Sequence, residues 1–243
     1  MDLYIVTGAS RGLGLAFAQL LAAQTGTCVL GISRAGVPTG VPAWRDLRAD
    51  LGTAAGLSAA ADGVSAALSA QTWTRAVLIN NAGMIEPLGV RGHVDAEALQ
   101  RNIAVNLTAP MVLMNAFLAA STQVSARSVI NISSGSGRRP IAGSGAYCAA
   151  KAGLDMASRV AALEEENAGG TVRITSLAPG IIETDMQVTA RNATAEQFPD
   201  VERFRAFKSE GMLKSPDEVA QKIIMLDRAG KLPSGIADVR ELS

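Results

Sequence analysis

Leu3-Tyr4-Ile5-Val6-Thr7-Gly8-Ala9-Ser10-Arg11-Gly12-Leu13-Gly14 decides how the chain begins to fold. A short apolar run, a glycine-rich turn and a helical pattern read as strand, tight turn and helix. Glycines at 8, 12 and 14 let the backbone turn sharply and approach a pyrophosphate. Exposed N–H groups and the positive end of the helix dipole would meet its charge. The first two glycines are separated by three residues rather than one, a departure from the commonest dinucleotide fingerprint. Outward from this turn, strands are expected near 3–7, 27–33, 44–49, 76–80, 127–133, 171–177 and 235–239, with helices between most of them. Apolar strands alternating with amphipathic helices predict one α/β domain over residues 1–243. It is Rossmann-type and doubly wound, a mostly parallel seven-stranded sheet with helices on both faces. The helices over 95–120 and 145–168 are strongly patterned, whereas 53–70 carries Gly56 and Gly63, which lower helix propensity.

The second of those helices carries Tyr147-Cys148-Ala149-Ala150-Lys151. Side chains at i and i+4 share a helix face, so a proton donor and a positive charge lie one turn apart. A free phenol titrates near ~10, and an ammonium a few ångströms away stabilises the phenolate. Lowering that value by ~2 to ~3 corresponds to roughly 3 to 4 kcal/mol. The expected result is a general acid tuned for a carbonyl oxygen.

The glycine turn and the Tyr147/Lys151 pair together resemble the short-chain dehydrogenase/reductase family of the classical type, and further motifs extend the likeness over nearly the whole chain. Asn80-Asn81-Ala82-Gly83, after Ala76-Val77-Leu78-Ile79, matches the family's turn beside the cofactor. Asn106 matches the asparagine that kinks a central helix and supports a water-linked proton relay. Ser134 closes Val129-Ile130-Asn131-Ile132-Ser133-Ser134 and stands thirteen positions before Tyr147, the family separation for the catalytic serine; Ser133 is less favoured. Pro179, Gly180, Ile182 and Thr184 match the segment that receives the nicotinamide. The resemblance therefore implies a catalytic set of Asn106, Ser134, Tyr147 and Lys151. The cofactor contacts it implies are Gly8, Ser10, Arg11, Gly12, Leu13, Gly14, Asn81, Ala82, Gly83, Tyr147, Lys151, Pro179, Gly180, Ile182 and Thr184.

Charge argues for the choice of cofactor. An NAD-selective protein usually places Asp or Glu at the end of the second strand; here Cys28-Val29-Leu30-Gly31-Ile32 ends in Ser33-Arg34, and Arg11 stands in the glycine turn. Two guanidinium groups and the Ser33 hydroxyl can hold the extra phosphate of NADP(H). Asp50-Leu51 matches the family's adenine-contacting pair.

Composition excludes several classes. The formal net charge is zero, from 22 basic and 22 acidic residues, which gives no electrostatic footprint for nucleic acid or an anionic membrane. Two cysteines, Cys28 and Cys148, read as reduced thiols, and with a first strand at Leu3 a cytoplasmic protein without signal peptide is expected. No membrane span is expected. His93 is the sole histidine, which argues against a catalytic metal.

Asn81-Ala82-Gly83-Met84-Ile85-Glu86-Pro87, Tyr147-Cys148, Lys151-Ala152-Gly153-Leu154-Asp155-Met156 and Glu202-Arg203-Phe204 look like the benzil reductase and sepiapterin reductase branch. That likeness implies NADPH-dependent reduction of a diketone-like or aromatic ketone. The carboxyl end lacks the Asp-Gly-Gly of the tetrameric acyl-carrier-protein reductases, which weakens a 3-oxoacyl thioester as substrate. A sugar-like ketone would also suit the catalytic motifs. A non-catalytic NADP-binding sensor would need only the cofactor motifs, and an intact Ser134, Tyr147 and Lys151 argue against it. Residues 185–212, with Met186, Phe198, Phe204, Phe207 and Met212, hold the position of a substrate lid, although each phenylalanine could serve simply to pack it down. The family's dimer surface, the helices around 95–120 and 145–168, implies a homodimer in preference to a homotetramer.

Overall fold

Alternation along the first strand sets the layers. Leu3 and Ile5 point to one face of the sheet and Tyr4 and Val6 to the other, all four buried. The computed structural model describes residues 1–36 and 44–243. Its strands are β1 (Asp2–Thr7), β2 (Thr27–Ser33), β3 (Trp44–Arg48), β4 (Arg75–Asn80), β5 (Ala126–Ile132), β6 (Arg173–Ala178) and β7 (Gly235–Asp238). They form one seven-stranded sheet in the order β3-β2-β1-β4-β5-β6-β7, and every pairing is parallel, so the expected mostly parallel sheet is wholly so among the described residues.

Helices cover both faces. On the Tyr4 and Val6 side, α1 (Gly12–Ala22) and α8 (Pro216–Arg228) bury Phe17, Leu21, Val219 and Ile223 against Val77, Ile130 and Leu177. On the Leu3 and Ile5 side, α2 (Ala54–Ser69), α4 (Ala109–Ala120) and α5 (Gly145–Asn167) bury Val64, Leu113, Phe117 and Ala161 against Leu78, Val129 and Ile174. The glycines of α2 do not break it. A Cβ at Gly56 would collide with the Asp50 carbonyl oxygen and one at Gly63 with a Leu47 methyl, so both glycines let the helix lie close to β3 and the loop after it.

The helix expected over 95–120 is three segments: α3 (Ala96–Ile103), a π-helical turn (Ala104–Thr108) and α4. Together Ala96–Ala120 is long and apolar enough to cross a membrane by length and composition alone. The apolarity has a packing cause. One side, with Ala109, Leu113, Met114 and Phe117, is in the core, while Met111 and Val112 on the other are exposed, as are Met156, Val160 and Leu163 of α5.

Candidate active site

The carboxyl ends of β1, β4, β5 and β6 lie side by side, with the strand order reversing between β1 and β4, the crevice where open α/β sheets take their ligands. Two turns interlock there. Thr7 Oγ1 accepts the N–H groups of Asn81 and Ala82, each at 2.9 Å, and Asn81 Nδ2 donates to the Thr7 carbonyl at 3.0 Å. Gly8, at φ +68°, would bring a Cβ within 2.9 Å of Ala82 Cα, and a Cβ at Gly14 would strike the Gly8 carbonyl oxygen. Either substitution forces the turns apart. Gly12 faces the Thr184 methyl across the crevice, Ser10 is half-buried and Leu13 is in the core.

Asn106 sits at the centre of the π-helical turn, fully buried. Its Oδ1 accepts the Met84 N–H at 3.1 Å, and its Nδ2 donates to the Met84 carbonyl at 2.8 Å and to Asn102 Oδ1 at 2.9 Å. Asn102 in turn donates to the Met84 and Glu86 carbonyls. The segment after β4 is thus tied to the helix break by side chains. Gly83 lies between: a Cβ on it would be 2.9 Å from Asn106 Oδ1 and 3.8 Å from Lys151 Nζ.

Tyr147 and Lys151 lie one turn apart on α5, both buried, with Lys151 Nζ 5.6 Å from the phenol ring centroid. Lys151 Nζ donates to the Ile132 carbonyl at the end of β5, at 2.8 Å. Ser134 follows two residues later, its Oγ accepting the Ser136 N–H at 3.1 Å. Ser133 Oγ points elsewhere, to Asp155. The structure therefore brings Asn106, Ser134, Tyr147 and Lys151 to one end of the sheet. One electrostatic expectation is overturned. Burial pushes the Tyr147 phenol up to about 12, against a lowering by the Ser134 hydroxyl, and Lys151 does not contribute to the shift. Burial likewise brings the Lys151 amine down to about 8, with Asp155 pulling it back up. Desolvation outweighs the neighbour because the ammonium is turned toward the Ile132 carbonyl and is itself out of water.

At the end of β2, Ser33 is buried and its Oγ has no hydrogen-bond partner among the described residues, while Arg34 is exposed beside it. Arg11 pairs with Asp185 at 2.9 Å, both side chains largely exposed, so in this conformation its guanidinium is directed to the segment after β6 rather than to the β2 end. Asp50 accepts Arg101 Nη2 through both oxygens, at 3.0 and 2.8 Å, and the Gly52 N–H at 2.9 Å. Arg101, before the Gly52 N–H and the charge of Arg34, holds the Asp50 carboxyl below its ordinary range. Leu51 packs in the core. The donor set suits a nucleotide phosphate. No side chain caps the N-terminus of α1, and at the strand end a buried hydroxyl with no partner among the described residues stands next to an exposed arginine.

Beyond β6, Pro179 and Gly180 are half-buried and Ile182 is buried. Ile182 and Lys214 form an isolated parallel bridge; between these feet the chain runs through α6 (Asp185–Asn192) and α7 (Val201–Ser209). Ala190, Ala193, Phe198 and Val201 of this span bury themselves with Ile85 and Tyr147, and Met186 and Phe204 pack onto the same cluster. Phe198 is wholly inside and meets Phe204 edge to face at 4.9 Å, so for Phe198 packing is the role seen.

Thr7, Asn102 and Asp155 escaped the sequence reading. Asn102 and Asp155 carried a usable signal: each stands four residues from a motif residue, Asn106 and Lys151, and hence on the same helix face.

Fold and site together define an oxidoreductase scaffold built for a dinucleotide, and residues 3–195 match the short chain dehydrogenase family, to which this chain belongs. Benzil reductase ((S)-benzoin forming) of Bacillus subtilis is 35% identical over 242 residues, covering 99% of each chain. Sepiapterin reductase of Meriones unguiculatus is 34% identical over 249 residues, covering 95% of this chain and 93% of the relative. The crystal structure of the KRED1-Pglu enzyme superposes with a TM-score of 0.84 at 25% identity, covering 97% of this chain and all of the other.

Proposed function

We propose that the protein is an NADPH-dependent reductase of ketones flanked by a second carbonyl or an aromatic group. The observation that carries this reading is the convergence of Ser134, Tyr147 and Lys151 beside the glycine turn, under an apolar covering. When bound, the nicotinamide supplies the hydride for the carbonyl carbon. Gly8, Ser10, Arg11, Gly12, Leu13, Gly14, Asn81, Ala82, Gly83, Pro179, Gly180, Ile182 and Thr184 would hold the cofactor, with Asp50 and Leu51 at the adenine and Ser33 and Arg34 at the 2′-phosphate. Tyr147 gives its proton to the carbonyl oxygen as negative charge develops there. A phenol raised to about 12 is fully protonated at neutral pH, the form that a reduction requires. Ser134 donates a hydrogen bond to the same oxygen and fixes its place. Lys151 holds the nicotinamide ribose, and Asn106 supports return of a proton from solvent.

Residues 185–212 act as the substrate lid, since that span covers Tyr147 with apolar side chains. The names of the relatives support the substrate class: benzil is an aromatic vicinal diketone. The exposed apolar side chains Met111, Val112, Met156, Val160 and Leu163 on α4 and α5 support a homodimer, and two free thiols support a reducing, cytoplasmic setting. The test is a panel of equally activated aromatic diketones and 3-oxoacyl thioesters, assayed with NADPH and with NADH. Higher kcat/KM for aromatic diketones with NADPH is expected. Preference for acetoacetyl thioesters would move the assignment to an acyl reductase, and binding of NADPH without any turnover would move it to a sensor.

A further inference from the structure

A third buried polar side chain stands in line with Tyr147 and Lys151 on α5. Asp155, one turn beyond Lys151, is 4% exposed. Its Oδ1 accepts the hydroxyls of Ser133 and Ser176, each at 2.6 Å, and its Oδ2 accepts Arg138 Nε at 3.1 Å. Those partners come from the end of β5, from β6 and from the turn after Ser134. Removing a carboxylate from water costs several kcal/mol, returned only where partners are close and well placed. Three such donors meet that condition here.

What the carboxylate grips is specific. Ser133 lies between Ile132, whose carbonyl accepts the Lys151 ammonium, and Ser134. Arg138 follows the 3-10 turn Gly135–Gly137, and a Cβ on Gly137 would stand 2.8 Å from the Lys151 carbonyl carbon. Asp155 therefore holds both ends of the segment that carries Ser134 to the helix that carries Tyr147 and Lys151. Other charged and titratable groups around this pair are Tyr147 on α5, Arg138, and beyond Arg138 the Asp238–Arg240 pair at the end of β7. The segment after β4 contributes Gly83, the π-helical turn Asn106 and β6 Ser176, none of them charged.

We propose that Asp155 is a positioning residue for the reduction, locking the Ser134 segment against α5 through Ser133, Ser176 and Arg138 and sustaining the ammonium of Lys151 with its charge. The inference rests on the assignment of Tyr147 and Lys151 made above. Its electrostatic half agrees with Asp155 being the charge that opposes the effect of burial on Lys151.

Two measurements test it on the full chain. The first follows the ε-carbon resonance of Lys151 against pH in cofactor-free protein, with Lys151→Met identifying it among Lys208, Lys214, Lys222 and Lys231. Asp155→Asn should lower the Lys151 midpoint by about one pH unit, because a neighbouring opposite charge is lost. Arg138→Gln, which leaves the carboxylate less neutralised, should raise it. The second follows steady-state kinetics. In Asp155→Asn, kcat should fall by ~10-fold or more with a smaller change in KM, the mark of misplaced groups. Ser133→Ala should lower kcat while leaving the Lys151 midpoint in place. A Lys151 midpoint unmoved in both charge variants, or an unchanged kcat in folded Asp155→Asn, would overturn the proposal. Should Asp155→Asn fail to fold, Arg138→Gln and Ser133→Ala carry the same two tests. The assignment of Tyr147 fails separately, if Tyr147→Phe retains the turnover of the parent.

Discussion

The frame of the site and the segment that covers it are built by different means. In the frame, fixed groups meet fixed groups: Thr7 Oγ1 bridges two backbone N–H groups, Asn106 and Asn102 clasp the Met84 and Glu86 backbone, and Gly8 and Gly14 leave no room for a methyl. The cover is two short helices held by ion pairs and one small apolar cluster. Glu183 binds Arg191 at 2.8 Å and Lys208 at 2.5 Å, and Arg205 binds Glu202. A frame of this kind tolerates few replacements, whereas a cover of this kind tolerates many.

The sharpest way to break that division is to remove the proposed proton donor alone. Tyr147→Phe keeps the ring within its apolar cluster, so stability should barely change while reduction falls by ~10²-fold or more and NADPH binding persists. Stopped-flow assay of the hydride step and titration of cofactor fluorescence would check both halves. A fall in both would mean that the phenol holds the frame together, and the division would be wrong.

A second test asks whether the frame is electrostatically costly. Lys151 titrates near 8 in the fold and at about 10.5 when unfolded. Between those values the unfolded chain still binds the proton that the folded chain has released, so unfolding free energy rises with pH across this window. Above about 10 the raised Tyr147 and Tyr4 phenols reverse the trend, since the unfolded chain then loses protons that the fold retains. Chemical denaturation between pH 7.5 and 10 should show the rise, worth up to about 3 kcal/mol, and Lys151→Met should flatten it.

How much of this was legible in the sequence follows from the same division. The strands, the glycine turn and the Tyr147 and Lys151 pair could be read because each depends on local spacing: apolar alternation, φ > 0 at a glycine, or i and i+4 on a helix; Ser134 was implied by the family resemblance alone. The ionisation of Tyr147 could not, because it depends on burial, which spacing does not report. The break at Asn106 that splits one apolar pattern into α3 and α4 was implied by the family resemblance alone, and the use of Gly56 and Gly63 as close-approach points inside a sound helix could not be read at all. In the cover, Phe198 and Phe204 looked equally able to meet a substrate or each other; the structure has them in contact.

Cofactor choice lies where frame and cover meet, and gives a smaller effect. Arg34 is exposed beside the unpartnered Ser33 hydroxyl, while Arg11 spans the crevice to Asp185 of the cover. Arg34→Ala should raise the apparent constant for NADPH by ~10-fold, the cost of one charge-assisted contact, and leave NADH nearly unchanged. Equal use of both cofactors by the parent protein would remove the basis for assigning Ser33 and Arg34 to the phosphate.

The smallest effect is expected at the foot of the cover, and it measures how loosely the cover is held. Glu183 follows Ile182, which bridges Lys214, so its carboxylate clamps α6 through Arg191 and α7 through Lys208. Lys208 and then Arg191 hold that carboxyl below its ordinary value of 4.5. A depressed carboxyl contributes stability that is complete above the unfolded value and is lost as pH falls through the folded one. Acidification should thus loosen the clamp only well below neutral pH. Both pairs are partly exposed and so contribute no more than ~1 kcal/mol each, less at high salt. Glu183→Gln should accordingly change KM for the ketone by a factor of only ~2 to ~5, with kcat and NADPH affinity unaltered, and added salt should bring the parent toward the variant. A loss of kcat as large as that of Tyr147→Phe would show that the cover is part of the catalytic frame, and the contrast between fixed and exchangeable regions would have to be drawn elsewhere.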